Sequence, residues 1–281
     1  MIEVRYMHRL GNNMFQYCLG RILAEELGLA LNCRPIGAFP NTASLVGGRE
    51  CHRPVESYSG QQLPLAEILS NKAPRRIVLE GHFQRAEYYR GYEDRIRTWL
   101  LPRDVYRGPL PDLFMHIRRT DYVQHGWALP FSYYAAALEH LLPEGGSIWI
   151  GTDDPADPFF RHFQKWKPFF YNGDALTQMS LMSQVPRLVM SQSTYSWWPA
   201  FLAQNSQAVA CPVPAHGCWA GDEAYTRGID LIEKDRFICI DVPERYEPDQ
   251  LESVYQKWRL LKGKVARRIN RYTVSALPMT P

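Results

Sequence analysis

Residues 113–121 read Leu113-Phe114-Met115-His116-Ile117-Arg118-Arg119-Thr120-Asp121, an apolar run of strand length that ends in charge. Side chains alternate along a strand, so Leu113, Met115 and Ile117 share one face and Phe114, His116 and Arg118 the other. Arg119 to Asp121 then fall in the turn at its end. Two further runs, Ser147 to Thr152 and Leu188 to Ser191, have the same form, a strand running into a polar turn. Segments of helical period, from about Ser132 to Leu142 and from Ala175 to Val185, supply the crossovers between them. Strands alternating with helices predict βα units and an α/β fold, in which ligands bind at the carboxyl ends of the strands.

The N-terminal part follows the same rule. Ile2 to Met7 reads as a strand, His8 to Asn13 as a loop, and Met14 to Leu27 as a helix on which Phe15, Cys18, Leu19, Ile22, Leu23 and Leu27 recur at helical spacing. Gly28 is the expected stop. Pro35 to Pro64 has no clear period and reads as a long surface excursion. A strand over Ile77 to Phe83 and a helix over Ala86 to Leu100 follow. Leu101 to Asp112, with Pro102, Gly108, Pro109 and Pro111, is the best linker in the chain. It divides the sequence into 1–110 and 111–281.

Composition narrows the classes of function. The 281 residues are 46% hydrophobic and 22% charged, ordinary values for a packed globular protein large enough to hold a cleft between two lobes. Lys and Arg number 32 against 29 Asp and Glu, a formal charge of +3, so a nucleic-acid partner is not expected. Cys18, Cys33, Cys51, Cys211, Cys218 and Cys239 lack metal-like spacing and fit reduced thiols in a cytoplasmic protein. No apolar run approaches the ~20 residues of a membrane span. Near the C-terminus, Lys257, Arg259, Lys262, Lys264, Arg267, Arg268 and Arg271 interleave with Trp258, Leu260, Leu261 and Val265. That pattern reads either as a peripheral contact with anionic lipid or as a solvated helix closing over the N-terminal lobe.

Four stretches carry chemistry. Arg118 and Arg119 aim two guanidiniums at one spot, where planar forks would hold a diphosphate leaving group without a metal, or would simply bridge to Asp121. Asp153 and Asp154 end the second strand; they suit sugar hydroxyls, a base or, with Asp157, a divalent ion, or else a turn and a cap for the helix near Phe159. Ser193 and Thr194, between a strand and a helix, suit phosphate at a helix N-terminus, or an ordinary N-cap before Trp197 and Trp198 in the core. In Arg9-Leu10-Gly11-Asn12-Asn13, Gly11 would let a ligand approach the backbone and Asn12 offers donor and acceptor atoms.

Arg9-Leu10-Gly11-Asn12-Asn13-Met14-Phe15-Gln16-Tyr17, Gly81-His82-Phe83-Gln84, His116 to Val123 and Ser193-Thr194-Tyr195-Ser196-Trp197-Trp198, in this order, resemble the α-1,2-fucosyltransferases of glycosyltransferase family 11. The HxRRxD element is shared with α-1,6 and protein O-fucosyltransferases; the first and last elements resemble the α-1,2 group. The resemblance implies a GT-B-type fold of two Rossmann-like lobes, no metal or other cofactor, and transfer of fucose with inversion from GDP-fucose to a galactose-terminated glycan. It further implies that Arg118 binds the β-phosphate, that His116 sits near the guanine, and that Ser193 and Thr194 complete the phosphate site. Gly11 and Asn12 would face the donor across the cleft, and Asp121 would hold the arginine forks at a fixed angle. Three positions depart from the family pattern: Asn13 stands in place of Gln, Thr120 in place of Gly, and Gln178 in place of an acid that would read the guanine edge. Gln178 offers one acceptor oxygen where a carboxylate would offer two.

Overall fold

A computed structural model describes residues 1–43, 47–60, 62–203, 208–216 and 237–275, with side chains at all of these except residue 86 and those beyond 262. Cys218 lies outside the described residues. Two parallel sheets make the frame of an α/β protein. The first contains β1 (Ile2–Val4), β2 (Leu31–Asn32), β3 (Val55–Gly60) and β4 (Arg76–Gly81) in the order β2-β1-β4-β3. The second contains β5 (Leu113–Ile117), β6 (Ile148–Thr152), β7 (Phe169–Tyr171), β8 (Arg187–Val189), β9 (Ala208–Pro214) and β10 (Phe237–Val242) in the order β10-β9-β8-β5-β6-β7. Counted from β5, that is the order 3-2-1-4-5-6 of a dinucleotide-binding sheet, and the winding reverses between β5 and β8.

Five of these strands, β2, β3, β7, β9 and β10, were not expected from the sequence. β3 lies inside the excursion that showed no period, and its register along β4 runs from Val55 opposite Arg76 to Gly60 opposite Gly81. Its alternation is weak because it is an exposed edge strand. β2 and β7 are two and three residues long, below what a hydrophobic period can show. The helix expected over Ala86 to Leu100 is instead a 3-10 turn (Ala86–Tyr88) and then α3 (Glu93–Trp99), broken where Gly91 takes φ 84°. α2 (Leu65–Ser70) lies between β3 and β4.

The β5 alternation holds. Leu113, Met115 and Ile117 pack with Tyr133, Tyr134, Phe159 and Phe163 in one core, while Phe114 belongs to the other. That other core runs without a break from Ile2 and Leu79 to Leu188 and Val209, so both sheets share it. Its seam is α1 (Leu10–Leu27), buried on nearly every side. At Gly20 a Cβ would stand 2.3 Å from Val4 Cγ2, so α1 lies directly on β1. Its other side meets α7 (Thr194–Leu202), where Phe15 packs against Trp197 and Trp198 at 4.8 and 4.6 Å between ring centroids. Gly28, at φ 62°, ends α1 as expected. α1 begins at Leu10, earlier than its apolar period indicates, because Arg9 precedes it in extended geometry without a side-chain cap to mark the start.

In the second sheet α4 (Thr120–His125) and α5 (Phe131–Leu141) connect β5 to β6, and α6 (Ala175–Met182) connects β7 to β8. The C-terminal helix α8 (Gln250–Ser275) packs on the 3-10 helix Pro158–Trp166, so the expected closure over the N-terminal lobe is replaced by a contact within the second half of the chain. Among the described residues no helix is long and apolar enough to cross a membrane. Cys18 and Cys211 are buried, Cys33 and Cys51 half-buried and Cys239 exposed, all as free thiols.

A candidate active site between the two sheets

A cavity of ≈ 730 Å³ opens where the carboxyl ends of β1 and β4 face those of β5, β6 and β8. The first sheet contributes His8 to Asn12, His82 and Gln84; the second contributes His116, Arg118, Asp121, Tyr122, Trp127, Thr152, Asp153, Gly173, Ala175, Gln178 and Ser193 to Tyr195. The reversal of winding between β5 and β8 leaves no crossover helix over that gap, which is why the crevice is there.

Arg118 is its fixed cation. Nη2 donates to Asp121 Oδ1 at 2.5 Å, Nη1 pairs with Asp153 Oδ2 at 3.3 Å, and the guanidinium lies 5.1 Å over the Tyr122 ring. Nε is buried on this wall without a hydrogen-bond partner. Burial pushes the Asp121 carboxyl up, but the Arg118 charge and the hydrogen bonds from Thr120 and Arg118 outweigh it, and its pKa is lowered. His116 is 3% exposed, with Nδ1 2.9 Å from Ser191 Oγ. Burial, then the neighbouring Arg118 charge, lowers its pKa to about 3, so the imidazole is neutral at neutral pH.

Asp153 serves the turn and the wall together. It accepts from the Arg119 N–H at 2.8 Å and from the Thr120 hydroxyl, which fixes the direction in which Arg118 leaves β5. The cap near Phe159 assigned to Asp153 belongs to Asp157, whose Oδ1 accepts from Phe159 N at 3.0 Å.

Two expected binding residues are elsewhere. Arg119 is 0% exposed and off the cavity wall: Nε donates to Asp157 at 3.0 Å, Nη2 to Tyr246 Oη at 2.6 Å, and the guanidinium lies 4.1 Å over the Phe159 ring. Neighbours past a strand end diverge to opposite sides, so the spot expected to hold two forks has one. Asp154 also faces away, accepting from Tyr255 Oη at 2.9 Å and pairing with Arg259 at 3.4 Å. Asp153, Asp154 and Asp157 therefore do not converge on a common point. Among the described residues the atoms that could hold a metal gather at His162, Asp249 and Glu252, none of them on the cavity wall, and Arg161 pairs with both acids.

The N-terminal ends of α1 and α7 meet at the cavity, so two positive helix ends open on it. Ser193 is the N-cap of α7, accepting from Tyr195 N at 3.3 Å. Thr194 Oγ1 donates to Asn12 Oδ1 at 3.1 Å, and Gln84 Nε2 donates to the same oxygen at 2.7 Å. Asn12 thus ties the two sheets together as well as lining the crevice. Gly11 belongs to the first turn of α1, and the close approach it permits is to Thr194. Asn13 is not on the wall. Gln16 bridges the ends of β1 and β4, accepting from Met7 N at 3.0 Å and donating to the Gly81 carbonyl at 2.8 Å. Gln178 is 8% exposed; its Oε1 accepts from Tyr195 Oη at 3.2 Å, and it fits because Gly151 has no Cβ to strike its Nε2.

The sequence reading did not assign His8, His82, Gln84, Tyr122, Trp127, Thr152 or Tyr195 to the site. Thr152, His8 and His82 were accessible to it, since each follows a strand at its carboxyl end. Tyr122 and Trp127 had no such signal: Tyr122 is on α4, a single short helix after the β5 turn, and Trp127 follows its C-cap, so their rings meet the cavity only through the fold. His8 and His82 stack at 4.9 Å between ring centroids, at 17°. His8 (φ 63°) and Phe83 (φ 51°) hold left-handed backbone without being glycine, a strain that clusters at functional clefts. No family model matches the chain and no curated protein is significantly similar to it.

Proposed function

We propose that the chain is an inverting fucosyltransferase of GT-B type that transfers L-fucose from GDP-fucose to the 2-hydroxyl of a terminal galactoside. The observation that carries this reading is Arg118, a half-buried cation whose buried Nε–H has no partner, set where the winding of the second sheet reverses and beside the α7 N-terminus. Anionic phosphate suits that place, because a positive helix end and a guanidinium act together in a crevice that excludes much of the water. The sequence motifs that resemble fucosyltransferases line the same cavity from its two sides: Gly11 and Asn12, His82 and Gln84 from the first, His116 and Arg118, Ser193 and Thr194 from the second.

In this reaction the acceptor oxygen attacks the anomeric carbon from the side opposite the diphosphate. The bond from that carbon to the phosphate oxygen breaks, GDP leaves with the electron pair, and the acceptor proton passes to a base. The ring resembles an oxocarbenium ion as charge builds, and Arg118 stabilises the departing diphosphate. Asp121 and Asp153 fix the guanidinium from two sides, so the fork is aimed before the donor arrives. Gln178 and the neutral His116 line the same wall and supply neutral hydrogen-bonding groups for the guanine.

Incubation with GDP-fucose and a panel of galactosides, with the product linkage read by NMR, tests the reading. An α-1,2 linkage is expected, with full activity in EDTA. Arg118→Ala removes one preorganised donor, a loss of about 2.7–4 kcal/mol in the barrier. GDP binding without release of GDP from GDP-fucose in the presence of acceptors would make the chain a binding module instead.

A further inference from the structure

α8 carries its amphipathicity the wrong way round for a helix that packs only on its own protein. A surface helix ordinarily turns apolar residues inward and polar ones to water. Here the side toward the protein is polar: Glu252 accepts from Tyr246 Oη at 2.5 Å, Tyr255 bonds to Asp154, and Gln256 donates to Asp157 at 2.8 Å. The outward side is apolar. Leu251, Val254, Trp258 and Leu261 are 56%, 59%, 52% and 62% exposed, and their spacing of three, four and three residues puts them in one stripe. The sequence carries the same spacing on to Val265, Ile269 and Tyr272.

Charge decides what covers this stripe. From residue 253 to the end, the chain holds seven Lys and Arg and no acid, against a formal charge of +3 for all 281 residues. Arg259 turns inward to Asp154, and a second copy docked along the stripe would bring the rest of this all-cationic run against its like. An anionic lipid surface meets both features at once, taking the apolar stripe below its headgroups and pairing its phosphates with the flanking cations. We infer that α8 lies in the interface of an anionic membrane and anchors the chain to it peripherally. The helix's polar face stays bonded to Asp154 and Asp157, which leaves the apolar stripe free to meet the lipid.

Sedimentation with vesicles tests this, using the full chain with phosphatidylcholine alone and with phosphatidylcholine containing phosphatidylglycerol. The chain is expected to pellet with the anionic vesicles only, and to be released as salt approaches about 1 M, where the screening length falls to ~3 Å. Trp258→Ser with Leu261→Ser, and separately Lys257→Glu with Lys262→Glu, are each expected to weaken partition by roughly tenfold or more. All four positions are on the described part of α8, and far-UV circular dichroism with a melting curve confirms that the variants fold. Failure of the wild-type chain to pellet with anionic vesicles, or pelleting of either double variant equal to that of wild type, overturns the inference. So does a dimer in light scattering that Trp258→Ser with Leu261→Ser converts to a monomer, which would assign the stripe to a second copy.

Discussion

Gly11 and Thr194 are in direct contact: a Cβ on Gly11 would stand 2.5 Å from Thr194 Oγ1 and 2.8 Å from its carbonyl carbon. The hydroxyl can rotate away, but the carbonyl carbon is in the first turn of α7 and cannot. Trp198 Nε1 also donates to the Gly11 carbonyl at 2.8 Å, so the two helix ends are joined at three points with the Thr194–Asn12 bond. Gly11→Ala is therefore expected to push α1 from α7, with a loss of about 1–3 kcal/mol from overpacking. Urea denaturation checks the stability, and calorimetry of GDP binding checks the crevice. Unchanged values of both would show that the seam yields without cost.

Arg118 and Arg119 are adjacent in sequence and opposite in role, which separates their variants. Arg119 is enclosed by Asp157, Tyr246 and Phe159, and its removal leaves the Asp157 carboxylate buried without a counter-charge. Breaking a buried pair from one side costs about 3–5 kcal/mol. Gln256 and the Phe159 N–H still bind Asp157, so Arg119→Met is expected near the lower end of that range. Arg118→Ala removes a partly solvated pair, since Asp121 is 37% and Asp153 20% exposed, and is expected to lose turnover with a much smaller change in stability. Denaturant midpoints beside initial rates distinguish the two; loss of activity without loss of stability in Arg119→Met would return it to the site.

The sequence contained the frame and much of the crevice because α1 is long and periodic and β5, β6 and β8 belong to apolar runs that end in polar turns. His116, Arg118, Ser193 and Thr194 follow from that pattern, and all four line the cavity. What it did not contain is direction beyond the strand end. Arg119 and Asp154 each follow a wall residue by one position, and one step in the chain turns a side chain from the crevice to the core or to α8. The edge strand β3 was hidden for a related reason: with little of it buried, selection for alternation is weak.

The neutral state of His116 has a thermodynamic consequence. Its folded pKa of about 3 lies below the unfolded value near 6.5, so the unfolded chain binds a proton that the folded chain refuses. Its contribution is fully present above about pH 6.5 and is lost as pH falls toward 3. At pH 5 the loss amounts to about 2 kcal/mol relative to pH 7.5. His116→Asn lacks this term, so the difference in unfolding free energy between wild type and variant is expected to narrow by that amount over the same interval. Parallel stability curves from pH 7.5 to 5 would show that His116 protonates in the folded protein.

If fucose is transferred here, a base must take the acceptor proton, and the second-sheet wall offers poor ones. His116 is held near pKa 3, Asp121 is lowered, and Asp153 is occupied by the Arg119 N–H, the Thr120 hydroxyl and Arg118. Across the cavity, His8 and His82 stack with strained backbone on either side. Burial and then the neighbouring His8 lower the His82 pKa, which keeps its imidazole unprotonated at neutral pH. A neutral imidazole opposite Arg118 is placed to accept a proton from a hydroxyl attacking on the face away from the diphosphate. His82→Gln is accordingly expected to reduce transfer to galactosides by about 10²–10⁴ while leaving GDP affinity unchanged. The base must be unprotonated, so the wild-type rate falls on the acidic side of its pKa, and that limb should vanish in the variant. A kcat/KM profile from pH 5 to 8 reads it directly, and an acidic limb that survives in His82→Gln would assign the proton to another group.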